Sequence, residues 1–350
     1  MTIKEISKLA GVSTCTVSNV INNKRESVSD EVREKVWKII RETGYVPNGI
    51  AKSLRKRRSN TIGVLTEDIT HFHVPEIIGE INRYAEQMNI RVILNNFSQI
   101  QNVAEKAKAK ILKADSKEIN DAVDLMLEAK VDGIIYIAWQ DRIMKQSIKN
   151  IDIPIVYAYC VSEMDQISSV NYDNISGMAD VLDRVFALKH RKIALLKGGD
   201  ENCYPSVVRF QVYLRKLKEK GIPYREEYVK TGEWSFDDGQ MFYRELMALS
   251  DPPTVIVSLN DEMAAGVIAE SMNTDRRVLD EISVVGFNGI EFCSFLCPTL
   301  ATVRLPLKQI GHEAVKQLIL EIQNKECEHR HLVLPCEFQD GESLRENPFA

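Results

Sequence analysis

Across 350 residues no stretch approaches the roughly 18 to 20 consecutive apolar side chains that a membrane helix needs. The opening MTIKEISKLA has no apolar segment that could act as a secretory signal, so the expected location is cytoplasmic, with no membrane partner. Cysteine is sparse: Cys15, Cys160, Cys203, Cys293, Cys297, Cys327 and Cys336 are odd in number, scattered and without a CxxC pair. That pattern argues against a disulfide framework and against a zinc site. His71 and His73 have no carboxylate or cysteine at metal spacing, and no metal or cofactor is expected. Absence of a Walker GxxxxGK[ST], a strand-linked GxGxxG and a nucleophile elbow removes support for nucleotide hydrolysis, dinucleotide binding and α/β-hydrolase chemistry. An enzyme is therefore not expected.

What the chain does have is charge separated by sign. Residues 1–60 carry 13 Lys plus Arg against 6 Asp plus Glu, whereas residues 61–350 carry 32 against 44, an asymmetry that the overall net charge of −5 conceals. A small basic head precedes a large acidic body, and the length alone makes two or three domains the natural expectation.

In the head, Ile3, Ile6, Leu9 and Ala10 recur at helical spacing until Gly11-Val12-Ser13 breaks the helix. Ser13 can cap a second helix that buries Val17, Val20 and Ile21 and leaves Thr14, Cys15, Ser18 and Asn19 outward. A third helix from about Ser29 to Thr43 buries Val32, Val36, Trp37, Ile39 and Ile40 before Gly44 ends it. Pattern alone fits a generic three-helix bundle or a helix-turn-helix unit whose second helix enters the DNA major groove. Between head and body, VPNGIAKSLRKRRSN reads as a helix from Asn48 to about Lys56, too short to be stable alone in water. On residues alone the better reading is a basic linker that raises non-specific affinity for nucleic acid.

In the body, apolar strands alternate with amphipathic helices, from TIGVLT through IRVILN, VDGIIYIA and IDIPIVYAY, then KIALLKGG, EYVKTG, TVIVSL and ISVVGF. Repeated β-α units require parallel sheets with helices on both faces, and two such sheets in succession place a ligand cleft at the strand C-termini. The segment 96–121 is Ala/Lys-rich and reads as added helical turns on the surface, either solvated or altering a subunit contact.

The head and its sequel, IKEISKLAGVSTCTVSNVIN, VSDEVREKVWKIIRETGYVPNGIAKSLR and TIGVL, resemble in one register the amino-terminal region of the LacI/GalR family of bacterial transcription regulators. The resemblance continues through SSVNYDNISGM, KHRKIALLKGG, SVVRFQVYL, SLNDEMAAGV, ISVVGFNG and CPTLATVRLPLKQIGHEAV, covering nearly all the chain. It implies an α plus α/β architecture: a helix-turn-helix three-helix DNA-binding domain at 1–46, a hinge helix and linker at 47–60, and a two-subdomain, periplasmic-binding-protein-like effector domain at 61–340. The subdomains expected are 61–160 with about 290–325, and 161–289 with about 326–340, leaving 341–350 as a tail. It implies a ligand-responsive regulator, a repressor, binding a palindromic operator as a homodimer. The alternative is the same regulator sensing a partner protein or no small ligand.

By position, the resemblance puts Thr14, Cys15 and Asn19 at base edges and Ser13, Thr16, Ser18, Asn22 and Lys24 near phosphates. The family usually has Arg or His where Asn19 stands, which changes the half-site to be read and not the docking mode. Asn48, Ala51, Lys52 and Leu54 match the hinge positions, with Leu54 as the apolar wedge for the minor groove. His73, Val74, Tyr159, Arg209, Trp234, Asn260, Asp261 and Asn288 would line the cleft, with a carbohydrate or related metabolite as effector. Asn288 stands where Asp is typical and Tyr159-Cys160 where Asp-Arg is often found, leaving Asp261 as the expected cleft carboxylate. An Arg209 with so few acids around it would tolerate a sugar phosphate.

Overall fold

The computed structural model describes residues 1–21, 28–45, 58–97, 116–145, 148, 151–199, 202–274, 280–324 and 326–350. It divides into two compact units, residues 1–59 and residues 60–350.

The first unit is three helices, Ile3–Ala10, Thr14–Ile21 and Asp30–Thr43. Thr2 and Glu5 form a reciprocal capping box at the first helix, and Gly11, at φ 67°, supplies the left-handed residue that turns the chain into the second. Ile6, Ala10, Val17, Val20, Val36 and Ile40 make the core, with Ile3, Ile21, Val32, Trp37 and Ile39 packed around it. Leu9, expected on the buried face, is 56% exposed. At 100° per residue Leu9 falls outside the arc spanned by Ile6, Ala10 and Ile3, which the small core covers.

The second unit contains two parallel sheets. Strands β1 (Thr61–Thr66), β2 (Arg91–Asn96), β3 (Ile134–Ile137), β5 (Ile155–Ala158), β7 (Ser168–Tyr172) and β13 (His331–Leu334) form a six-stranded sheet ordered β13-β7-β5-β3-β1-β2. Strands β8 (Ile193–Gly198), β9 (Val229–Gly232), β10 (Val255–Ser258) and β11 (Ser283–Val285) form the second, ordered β11-β10-β8-β9. Two small ladders complete the strands: β4 (Ile143–Met144) with β6 (Val161–Ser162), and β12 (Thr302–Arg304) with β14 (Glu337–Gln339). The interior strands β1, β3, β5, β8 and β10 are buried almost throughout, as parallel strands covered on both faces must be.

The lobe boundaries differ from those expected. The segment 161–172 belongs to the first lobe, because β7 pairs with β5 in register Tyr157 to Ser169, and β13 follows it there, pairing Val170 with Leu332. The chain thus crosses between lobes three times: after Tyr172, after Leu305, where the helix Leu307–Gln323 packs back on the helix Val74–Gln87, and after Leu334. Two crossings are tied together by Asp173 N–H donating to Leu334 O at 2.9 Å. Residues 341–350 are not a free tail. Ser343 is buried, donating to Val284 O at 2.7 Å and accepting from Ala301 N–H at 2.9 Å, and His190 Nε2 meets Arg345 O at 2.8 Å. Of the segment 96–121, residues 98–115 lie outside the described residues, and the helix Ser116–Glu128 follows them.

The first lobe receives the chain at Asn60, whose N–H donates to Asp132 Oδ2 at 2.7 Å while its carbonyl accepts from Arg91 N–H at 2.9 Å. Within the second lobe, the helices Phe236–Met247 and Asp261–Ser271 pack at glycine contacts: a Cβ at Gly239 would stand 2.0 Å from Met263 O, and one at Gly266 2.0 Å from Phe236 O.

Candidate nucleic-acid interface and effector cleft

In the head, Thr14 and Cys15 are exposed at the start of the second helix, and Ser18 and Asn19 are partly exposed one turn on, on the arc opposite buried Val17 and Val20. A helix presenting its first turn this way can set short polar side chains against base edges. Ser13 fixes that turn: its Oγ accepts from Thr16 N–H at 3.0 Å and pairs with the Thr16 hydroxyl at 2.9 Å. Ser13→Ala is expected to cost the head about 1 kcal/mol of stability by thermal melting, because the first turn loses its cap. Asn22, Lys24, Asn48, Ala51, Lys52 and Leu54 lie outside the described residues.

In the body, Arg209 is the centre of the site. It projects from the helix Tyr204–Glu219 and is 2% exposed. Its Nε donates to Asn174 Oδ1 at 2.8 Å, one terminal nitrogen to Leu259 O at 2.7 Å and the other to Tyr172 Oη at 2.9 Å, and its guanidinium lies 3.6 Å from the Phe287 ring centroid. Tyr172 and Asn174 stand at the first crossing, and Leu259 follows β10, so one side chain joins both lobes. Three of its five donors are spent and two remain.

A carboxylate the sequence did not mark is held beside this group. Asp141, four residues beyond the end of β3, accepts from Asn171 Nδ2 at 2.7 Å and from Asn174 Nδ2 at 2.7 Å. Burial pushes its pKa up to about 6 against the opposing pull of those two amides and of Arg209. Asp261, expected as the cleft carboxylate, is committed elsewhere: its oxygens accept from Ile290 N–H at 2.9 Å and from the Thr302 hydroxyl at 2.5 Å, fixing the loop after β11. Burial raises its pKa as well.

His73 and Tyr159 meet face to face, ring centroids 3.6 Å apart and planes 12° off parallel, both buried. Tyr159 adopts φ 62°, which turns the chain at the end of β5 and sets the ring against His73. The Ala138 carbonyl, 2.9 Å from His73 Nε2, can only accept, so Nε2 carries the proton. His73 Nδ1 then accepts from His71 Nδ1, 2.8 Å away. Burial and the neighbouring His71 hold His73 well below the ordinary imidazole pKa, keeping it neutral.

The remaining expected residues divide. Trp234 is partly exposed, at φ 67°, its carbonyl taking the Asn260 amide at 2.8 Å. Asn260 caps the helix Asp261–Ser271 by accepting from Met263 N–H at 3.0 Å, so its amide has one bond at each end. Asn288 is partly exposed, at φ 128°, with its backbone paired to Val303 and Leu305. Val74 is a fully buried core residue at the start of the helix Val74–Gln87. The structure therefore brings His73, Tyr159 and Arg209 together with Asp141, Asn171, Tyr172, Asn174 and Phe287, while Asp261 and Val74 do structural work. Asn174 stood in the quoted SSVNYDNISGM segment, and Asp141 had the signal of a carboxylate just past a strand C-terminus. Among the described residues no group of three or more His, Cys, Asp or Glu could hold a metal ion, and no helix is long and apolar enough to cross a membrane.

The comparisons follow these two parts. Residues 2–48 match the family described as bacterial regulatory proteins, lacI family, and residues 182–344 match the periplasmic binding protein-like domain. Catabolite control protein A of Priestia megaterium is 29% identical over 329 residues, 93% of each chain. The HTH-type transcriptional repressor PurR of Vibrio vulnificus is 29% identical over 331 residues, 94% of each chain, and the repressor CytR of Escherichia coli 27% identical over 352 residues, 99% of this chain and 97% of its own. The lac repressor dimer bound to operator and an anti-inducer shares the fold at TM-score 0.80 and 24% identity, with 98% of each chain covered. The regulator CelR in complex with cellobiose shares it at TM-score 0.64 and 23% identity, covering 98% of this chain and 100% of that one. The chain thus joins a lacI-family head at residues 2–48 to a periplasmic-binding-protein-like body at residues 182–344, and it is a DNA-binding transcription regulator, not an enzyme.

Proposed function

We propose that this regulator acts in the cytoplasm as a homodimeric repressor on a palindromic operator, with a small carbohydrate or related metabolite in the cleft as effector. The observation that carries this reading is Arg209, which touches both lobes and keeps two donors for a ligand. A ligand that prefers one lobe angle changes the spacing of the two linkers in the dimer, and hinge helices fold or melt accordingly. It shifts the equilibrium only by its differential affinity for the two states. Thr14, Cys15 and Asn19 read bases, Ser13, Thr16, Ser18, Asn22 and Lys24 position the head, and Asn48, Ala51, Lys52 and Leu54 engage the minor groove. His73, Tyr159, Arg209, Trp234, Asn260 and Asn288 surround the effector.

Salt-dependent operator binding by the full chain, with and without a panel of sugars, sugar phosphates and nucleobases, tests the reading. At least one class should change affinity at fixed salt, and none doing so would overturn the effector role. Leu54→Ala should abolish operator bending and most specific affinity while the melting temperature of the free protein holds. Unchanged bending would exclude a wedge at Leu54.

A second reading, a body that senses a partner protein or nothing, is favoured by the closure of the site on itself. Arg209 bonds to three of the chain's own acceptors, and His73 and Tyr159 stack on one another.

A further inference from the structure

The charge of Arg209 is surrounded by neutral acceptors: an amide oxygen, a peptide carbonyl, a phenol and the face of Phe287. A guanidinium so deeply buried is costly unless a counter-charge stands near, and Asn174 supplies the link. Its Oδ1 takes the Arg209 proton while its Nδ2 donates to Asp141, so one amide bridges cation and anion. Resting on the reading that an effector occupies this cleft, we propose that Asp141, acting across Asn174, cancels the charge of Arg209 and so makes the site select uncharged ligands over their carboxylated or phosphorylated counterparts. Asp141 is a positioning residue here, since Asn171 and Asn174 take its two oxygens. The sugar phosphate that a lightly compensated Arg209 would accept is then a poor ligand.

Asn171 makes the idea testable by a substitution the fold can accept. Its Nδ2 donates to Asp141, while its Oδ1 is buried and finds no partner among the described residues. Asp141→Asn would at first set one amide NH₂ against another. Rotation of the Asn171 amide turns that clash into a bond, the introduced amide donating to the idle oxygen. Asp141→Asn therefore removes the charge and keeps the network. Acid does the same to the native chain. The titratable groups facing Asp141 are Arg209, Tyr159, Tyr172, Tyr204, Cys160 and Cys336, and burial raises every one of these phenols and thiols, so they stay neutral. Asp141 is raised to about 6, so its charge is present above that pH and lost below it.

The experiment measures binding to the full chain by calorimetry and ligand-induced melting shift. The probes are glucose beside glucuronate, galactose beside galacturonate, and ribose beside ribose 5-phosphate. The native protein should bind a neutral sugar at least about tenfold more tightly than its anionic partner, and Asp141→Asn should shrink that ratio by about tenfold or more. Lowering the pH of the native protein from about 8 to about 5 should shrink the sugar-to-uronate ratio likewise, since uronates stay ionised over that range. This arm decides the matter if the variant fails to fold. A native preference for the anion, or a ratio that neither the variant nor acid changes, overturns the inference and leaves the effector reading standing. No response to any probe here, together with none to the wider panel of sugars, sugar phosphates and nucleobases, overturns both.

Discussion

Arg209→Leu is expected to destabilise the full chain by about 3–5 kcal/mol in urea unfolding, because it removes the cation of a buried, bridged charge pair and keeps the anion. Three acceptors, Asn174 Oδ1, Leu259 O and Tyr172 Oη, lose their partner at once, and Asp141 is left buried without a counter-charge. Combining Arg209→Leu with Asp141→Asn should return part of the loss. In a double-mutant cycle the coupling should be favourable by more than about 1 kcal/mol. A single substitution costing less than about 1 kcal/mol, or strict additivity in the double, would show that Arg209 and Asp141 do not act as one unit.

The second large effect is placed where helices meet without room for a methyl group. Gly239→Ala and Gly266→Ala each put a Cβ 2.0 Å from a carbonyl oxygen of the facing helix, and backbone cannot move aside as a flexible side chain can. Overpacking of this kind costs about 1–3 kcal/mol and occasionally more, and the backbone obstacle puts both substitutions at the upper end. The damage should reach the site, because the helix pushed out begins at Asn260, which caps it and holds the Trp234 carbonyl. Gly79→Ala is the control: in the helix Val74–Gln87 its Cβ would meet nothing within 4 Å, and the protein should gain a few tenths of a kcal/mol, or up to about 1, in melting experiments. Equal behaviour of Gly79 and Gly239 variants would refute the close-approach argument.

How far the sequence anticipates the structure varies by element. The strands TIGVLT, VDGIIYIA, KIALLKGG and TVIVSL announce themselves because a parallel strand buried on both faces is apolar at every position, not at alternate ones. The lobe boundary is hidden for the opposite reason. It depends on β7 pairing with a strand far along the chain, Ser169 against His331, and composition carries no trace of such a partner. Within the site, Arg209 is found by its place in the SVVRF helix. Asp141 is not, because a carboxylate in a loop looks solvated until the fold buries it between two asparagines. Asp261 shows the reverse case: a carboxylate expected in the cleft instead bonds to Ile290 N–H and the Thr302 hydroxyl, in a loop that only the tertiary structure brings near.

Three crossings join the lobes, and two of them run side by side, Asp173 bonded to Leu334. Parallel connections of this kind resist sliding and twisting far better than bending, which leaves the body close to a single degree of freedom. Whatever fills the cleft can then be expressed only as an angle. Asn60 is bonded to Asp132 and Arg91, so the body begins on its first lobe. Chemically unrelated occupants of the cleft would thus be expressed as one and the same motion between the two lobes.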